Sequence, residues 1–128
     1  MKVDRIDHLV LTVKDINETI QFYSSVMGME KVEFGEGRIA LSFGQQKINL
    51  HQFGKEFEPK AQNVKSGSAD LCFIIDLPVE HALHDLESKG IKVIDGPVQR
   101  TGALGKIKSV YFRDPDGNLI EVSNYENV

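Results

Sequence analysis

Phe112-Arg113-Asp114-Pro115-Asp116-Gly117-Asn118-Leu119-Ile120-Glu121 is the stretch that decides the fold. Pro115 fixes φ for a turn, Asp114 offers a carboxylate to nearby backbone N–H groups, and Gly117 can take positive φ. The turn joins two strand-like runs, Lys108–Phe112 and Asn118–Asn124, and returns the chain with Glu121 inside a strand of otherwise apolar character. Asp114, Pro115, Asp116 and Gly117 read as purely structural.

Upstream of this hairpin, the Gly96 to Gly105 segment holds three glycines and a proline and reads as a loop. Before it come a short strand near Lys92–Ile94 and a helix with Val79, Ala82, Leu83 and Leu86 on its apolar face. Pro78 suits that helix's first turn and Gly90 closes it. A strand at about Ala69–Ile75 precedes it. The polar stretch from Gly54 to Gly67, with Pro59 and no periodic pattern, reads as a linker. The same order stands on its far side. A strand at about Ile6–Val13 leads to a helix capped by Asp15, with Glu18 three residues on. Ile16, Ile20, Tyr23 and Met27 form its stripe, Gly28 ends it, and strands follow near Glu30–Phe34, Arg38–Phe43 and Lys47–Gln52.

The halves repeat. Gly90 lies 62 residues after Gly28, and the same offset carries His8 onto Asp70, Leu11 onto Phe73 and Val13 onto Ile75. The closing strands align at 72, setting Ile48 on Ile120 and Asn49 on Glu121, with the ten extra residues assigned to the Gly96–Gly105 loop. The chain is therefore an α+β protein of tandem βαβββ modules, one domain over 1–128: module 1 at about 4–54, a linker at 55–67 and module 2 at about 68–125.

Composition sets bounds. A length of 128 residues, 41% hydrophobic, describes an ordinary globular chain. The net charge of -4, without a basic run, argues against a nucleic-acid partner. No segment approaches the roughly 20 apolar residues of a membrane span, and the charged N-terminus is unlike a signal peptide, so a cytoplasmic location is expected. The single cysteine, Cys72, lies in an apolar run and is expected to be buried and structural.

The two offsets group four polar positions on strands: His8, Asn49, Asp70 and Glu121. His51, two residues beyond Asn49, faces the same way. An imidazole and carboxylates turned inward cost several kcal/mol without partners, and a divalent cation or polar substrate would relieve that cost. His81 and His84, on the second helix, read as surface residues. Arg38, Arg100 and Lys106 read as solvated loop residues, with anion binding as the alternative.

Arg5-Ile6-Asp7-His8-Leu9-Val10-Leu11 and the Phe112–Glu121 hairpin together resemble the opening and closing strands of the vicinal oxygen chelate superfamily of glyoxalases, bleomycin-resistance proteins and dioxygenases. Within it the chain is most similar to small bacterial members of the glyoxalase-like, virulence-associated kind. The resemblance implies an eight-stranded, open, cup-shaped mixed sheet with flanking helices, a homodimer, and a metal held from the ends of the two modules. Carried onto this chain, the metal donors are His8, His51, Asp70 and Glu121, with Asn49 as a substrate or outer contact and Glu121 and Asp70 as catalytic carboxylates. The family pattern resembles His, Glu, His, Glu; here the middle positions read Asn49 and Asp70, an oxygen-rich set suited to Mn²⁺, Fe²⁺, Ni²⁺ or Zn²⁺.

The resemblance implies a metal-dependent lyase or isomerase acting on a small oxygen-chelating substrate. Metal-free sequestration, as in the bleomycin-resistance branch, and thiol transfer, as in the fosfomycin-resistance branch, are the alternatives. Ring-cleaving dioxygenases usually carry two such module pairs, and this chain has one.

Overall fold

The structure, a computed structural model, describes residues 1–126. Local signals build the first half. β1 (His8–Val13) runs into α1 (Ile16–Met27), and the Asp15 carboxylate caps the helix by accepting the Glu18 N–H at 3.1 Å. Gly28 closes α1 at φ 66, its N–H bonded to the Tyr23 carbonyl. β2 (Glu30–Phe34), β3 (Arg38–Phe43) and β4 (Gln46–Gln52) complete the module. The sheet order is β1-β4-β3-β2, with β1 parallel to β4 and the other pairs antiparallel. A parallel pair requires a crossover, and α1 with the β2–β3 hairpin supplies it. α1 contacts β2, β3 and β4, and Tyr23, Val13, Leu41, Ile48 and Leu50 are all buried in the core.

The second half repeats this frame: β5 (Asp70–Ile74), α2 (Val79–Ser88), β6 (Asp95–Gly102), β7 (Gly105–Arg113) and β8 (Leu119–Tyr125), with sheet order β5-β8-β7-β6. Among the described residues, then, eight strands form two four-stranded mixed sheets, each with one helix, as tandem βαβββ modules require. Met1–Gly67 and Ser68–Val128 are two compact units. None of the described helices is long and apolar enough to cross a membrane.

Both helices are tied to their own sheets by an amide side chain. Gln52 Oε1 accepts the Ile16 N–H at 3.2 Å while its Nε2 donates to the Lys14 carbonyl. Asn124 Oδ1 accepts the Val79 N–H at 2.8 Å, and its Nδ2 donates to the carbonyls of Ile75 and Leu77. The two amides stand 72 residues apart, the offset that relates β4 to β8. Asn124 does the capping that Pro78, at the N-cap of α2 rather than in its first turn, has no side-chain donor or acceptor to do.

The sequence expectation fails at β6. The strand expected near Lys92–Ile94 lies instead at Asp95–Gly102, inside the segment read as a loop. Ile94 N–H does reach the Tyr111 carbonyl at 2.8 Å, but the ladder is then interrupted by a register shift between Asp95 and Val98. β6 is an edge strand, where a bulge tolerates the missing N–H of Pro97. Gly96 is required there: its φ is 104, and a Cβ would lie 2.3 Å from the Ser109 carbonyl oxygen. The extra residues therefore form an extended hairpin. Val32 pairs with Ala40, eight residues on, whereas Asp95 pairs with Tyr111, sixteen on.

The Asp114 turn behaves as expected. Asp114 Oδ1 accepts the Asp116 and Asn118 N–H groups, each at 2.9 Å, and Oδ2 accepts Asn118 Nδ2 at 2.8 Å. Asn118 Oδ1 then accepts the Ala69 N–H at 2.8 Å, fixing the start of β5 beside β8.

Candidate functional site

Strand register decides which polar side chains share a face. In module 1, His8 pairs with Lys47, Val10 with Asn49 and Thr12 with His51. His8, Asn49 and His51 therefore lie on one face, and Arg38 continues the row of Ala40, opposite Asn49. In module 2, Asp70 pairs with Leu119, Cys72 with Glu121 and Ile74 with Ser123. Asp70 and Glu121 share a face but are one pleat apart. The two frames match row for row, so Asn49 occupies Glu121's position and His8 occupies Asp70's.

His8 is exposed, and its Nδ1 lies 2.8 Å from Asp7 Oδ1. That hydrogen bond is the main reason the Asp7 carboxyl is held below its ordinary range. It leaves Nε2 as the ring nitrogen available to a ligand, as in a carboxylate-supported metal imidazole. His51 is 3% exposed, and neither ring nitrogen has a hydrogen-bond partner. Burial first, and then the Arg38 guanidinium, push its imidazole below its ordinary value, so it is neutral with a lone pair available. Phe57 packs edge-on at 5.7 Å between centroids, and Arg38 lies over the rings of Phe34 and Phe57. Asn49 is also buried, and its Oδ1 is unpartnered. Unpartnered buried polar atoms cost about 1–3 kcal/mol each, so this face calls for a ligand.

Module 2 supplies a carboxylate on a chain of hydroxyls. Ser109 Oγ donates to Glu121 Oε2 at 2.6 Å. Ser109 has one hydroxyl proton, so the 2.7 Å contact with Ser123 makes Ser123 the donor. Cys72 Sγ, 3.3 Å from Ser123 Oγ, is then the donor at the chain's end. Partial enclosure, with the Glu121 charge adding to it, pushes the Cys72 thiol up, so it keeps its proton. Burial likewise pushes the Tyr111 phenol up.

Cys72 was expected to be buried and is exposed. Its apolar run suggested a strand covered on both faces, but only one face is covered: alternate residues Cys72 and Ile74 lie on the open side, Ile74 at 55% exposure. Arg38 and Arg100 lie on strands rather than loops. His81 and His84 are exposed, as expected for surface residues. Sequence reasoning passed over Ser109, Ser123 and Tyr125. The cue available was their alternation with core residues on β7 and β8.

A pocket of about 550 Å³ opens on the Glu121 face of module 2, lined by Cys72, Arg100, Ile107, Tyr111, Glu121 and Tyr125 among others. Among the described residues, no three His, Cys, Asp or Glu side chains are grouped to hold a metal ion. Each module carries donors of a kind that suits a divalent cation: a supported imidazole and a buried neutral imidazole in the first, two carboxylates in the second.

Comparison with known proteins bears on the family and the fold. The chain is 58% identical over 125 residues to virulence protein STM3117 of Salmonella typhimurium, covering 98% of this chain and 87% of the relative. A solved structure from the mobile metagenome of V. Pseudocholerae superposes with a TM-score of 0.97 at 64% identity, covering 99% of this chain and 98% of the other. Further away, the metallothiol transferase FosB of Bacillus licheniformis is 33% identical, over 94% of this chain and 75% of its own length. The family model for the Glyoxalase/Bleomycin resistance protein/Dioxygenase superfamily matches residues 5–122, and with the tandem βαβββ frame this places the chain in that superfamily.

Proposed function

We propose that the chain is a metal-dependent enzyme of the glyoxalase type, a lyase or isomerase acting on a small oxygen-chelating substrate. The observation that carries this reading is the buried His51 with two unpartnered nitrogens, on the same face as an imidazole already supported by a carboxylate. The proposed donors are His8 and His51 of module 1 and Asp70 and Glu121 of module 2. His51 is the weakest, because the Arg38 charge, which adds to burial in keeping it neutral, also opposes a nearby cation. When bound, Mn²⁺, Fe²⁺, Ni²⁺ or Zn²⁺ would supply Lewis acidity to a substrate with adjacent oxygens.

The chain's own groups do the remaining work. Ser109 holds one Glu121 oxygen, leaving the other to take and return a substrate proton as general base and acid. Asp70 is a second carboxylate on the same face. Asn49 Oδ1 accepts a hydrogen bond from a substrate hydroxyl. The protein is proposed to act as a cytoplasmic homodimer on a small molecule, with neither nucleic acid nor membrane as partner.

The test is turnover of a panel of small hydroxy- and oxo-compounds with each metal, in wild type, His8→Ala and Glu121→Gln. Both variants should melt cooperatively and lose activity; undiminished turnover in both would sink the site. A second reading, a metal-free sequestering protein, is favoured by the way each module sets its donors among aromatic and guanidinium groups. Under it, a ligand binds stoichiometrically after chelation and no product forms. Thiol transfer is the third reading, supported by the FosB similarity; consumption of a thiol with an epoxide would select it.

A further inference from the structure

The extended β6–β7 hairpin is the largest departure of module 2 from module 1, and the module 2 pocket is built on it. Arg100, Thr101, Gly102, Ala103 and Ile107 of that hairpin line one side of the pocket. The hairpin tip is fixed by β8: the Leu104 N–H donates to Tyr125 Oη at 3.1 Å. Gly102 allows this approach, since a Cβ there would meet both Tyr125 Oη and Ile107 Cγ2 at 3.0 Å. A hairpin held this way gives its side chains a defined position.

Arg100 is the cation of this pocket. Its Nε donates to Tyr111 Oη at 3.1 Å, its Nη1 to the Gln99 carbonyl at 3.0 Å, and its Nη2 to Asp95 Oδ2 at 3.3 Å. The guanidinium lies over the Tyr111 ring, 5.4 Å from its centroid. Three of its five N–H donors are used and two are left for a ligand. Tyr111 pairs directly with Glu121, so one aromatic residue separates the guanidinium from the proposed catalytic carboxylate. The volume, about 550 Å³, suits a small organic ligand, and Ile107, Ala103 and the two tyrosine rings give it an apolar body.

We infer that Arg100 is a specificity residue and that the pocket takes a small carboxylate-bearing molecule with an apolar or aromatic body, its carboxylate on the Arg100 guanidinium. The inference names the substrate class of the proposed enzyme and rests on that reading for turnover, but not for binding.

The test is calorimetry with three probes that share one body: phenylacetate, phenylacetamide and phenethylammonium. Wild type should bind phenylacetate at least tenfold more tightly than the amide, as expected for a charge-assisted pair, and should not bind the cation. Arg100→Gln should abolish the preference. Asp95→Asn, which releases Arg100 from its competitor, should strengthen phenylacetate binding several-fold, an effect that damage to the fold would not produce. Arg100 has a half-exposed side chain, so both variants should keep the wild-type melting behaviour.

Equal affinity for acid and amide, an unchanged preference in Arg100→Gln, or no binding of any probe at millimolar concentration would each overturn the inference. Manganese uptake, followed separately, divides the two ideas. An Arg100-dependent preference without uptake keeps the inference and removes the metal reading. Uptake without the preference does the reverse.

Discussion

Modules 1 and 2 share a frame and differ in what they hang on it. In each, a parallel strand pair closes the sheet, an amide from the last strand caps the helix, and the polar face repeats row for row. Yet the equivalent rows hold His8, Asn49 and His51 in one and Asp70, Glu121 and Ser123 in the other. The face of module 1 is cationic and aromatic through Arg38, Lys47, Phe34 and Phe57. That of module 2 carries carboxylates, hydroxyls and an open pocket. The duplicated backbone thus fixes where side chains project, while divergence between copies decides the chemistry each presents.

Substitutions in corresponding hairpins of the two modules sharpen this comparison. The largest effect is expected at the β6 bulge. Gly96→Ala drives a Cβ into the Ser109 carbonyl at positive φ and should cost about 4 kcal/mol, whereas Gly37→Ala, with open space around it, should cost about 1 kcal/mol for its left-handed φ alone. Urea unfolding of the two variants checks the contrast, and equal losses would break it. Next comes the closing turn. Asp114→Ala removes three hydrogen bonds in a buried turn and should cost about 3 kcal/mol. Gln45→Ala, in the exposed β3–β4 turn, should stay within about 0.5 kcal/mol, read from melting temperatures.

The smallest effect is a pH slope confined to module 1. His51 titrates below its ordinary 6.5 in the folded state, so the unfolded chain binds the proton more readily. Its contribution is neutral above that value and destabilising as pH falls through it, until the folded state also takes the proton. Melting temperature should therefore drop on acidification below about 6.5, and His51→Phe should flatten that slope. A slope unchanged in the variant would assign it to other groups.

Much of the frame was legible because its signals are local. Asp15 and Gly28 bound a helix by cap chemistry, and the Asp114–Gly117 run specifies its own turn. The repeat followed from the spacing of those same punctuation marks. β6 was missed because glycine and proline mark loops by composition, and only tertiary pairing shows that an edge strand with a bulge can hold both. Cys72 was misread because an apolar strand does not say which of its faces is left open. The face shared by His8, Asn49 and His51 could be read from alternation. The pocket could not, since Arg100 reaches it only through the long hairpin that Tyr125 pins.

The central claim is that His8 and Glu121 hold a divalent ion, and metal content measures it most directly. Native mass spectrometry on protein purified without a His tag or chelator, then reloaded in turn with Mn²⁺, Fe²⁺, Ni²⁺ and Zn²⁺, should find near one ion per chain. That ion should be lost in both His8→Ala and Glu121→Gln. Protein that takes up none of the four, or variants that retain the ion at wild-type stoichiometry, would contradict the account.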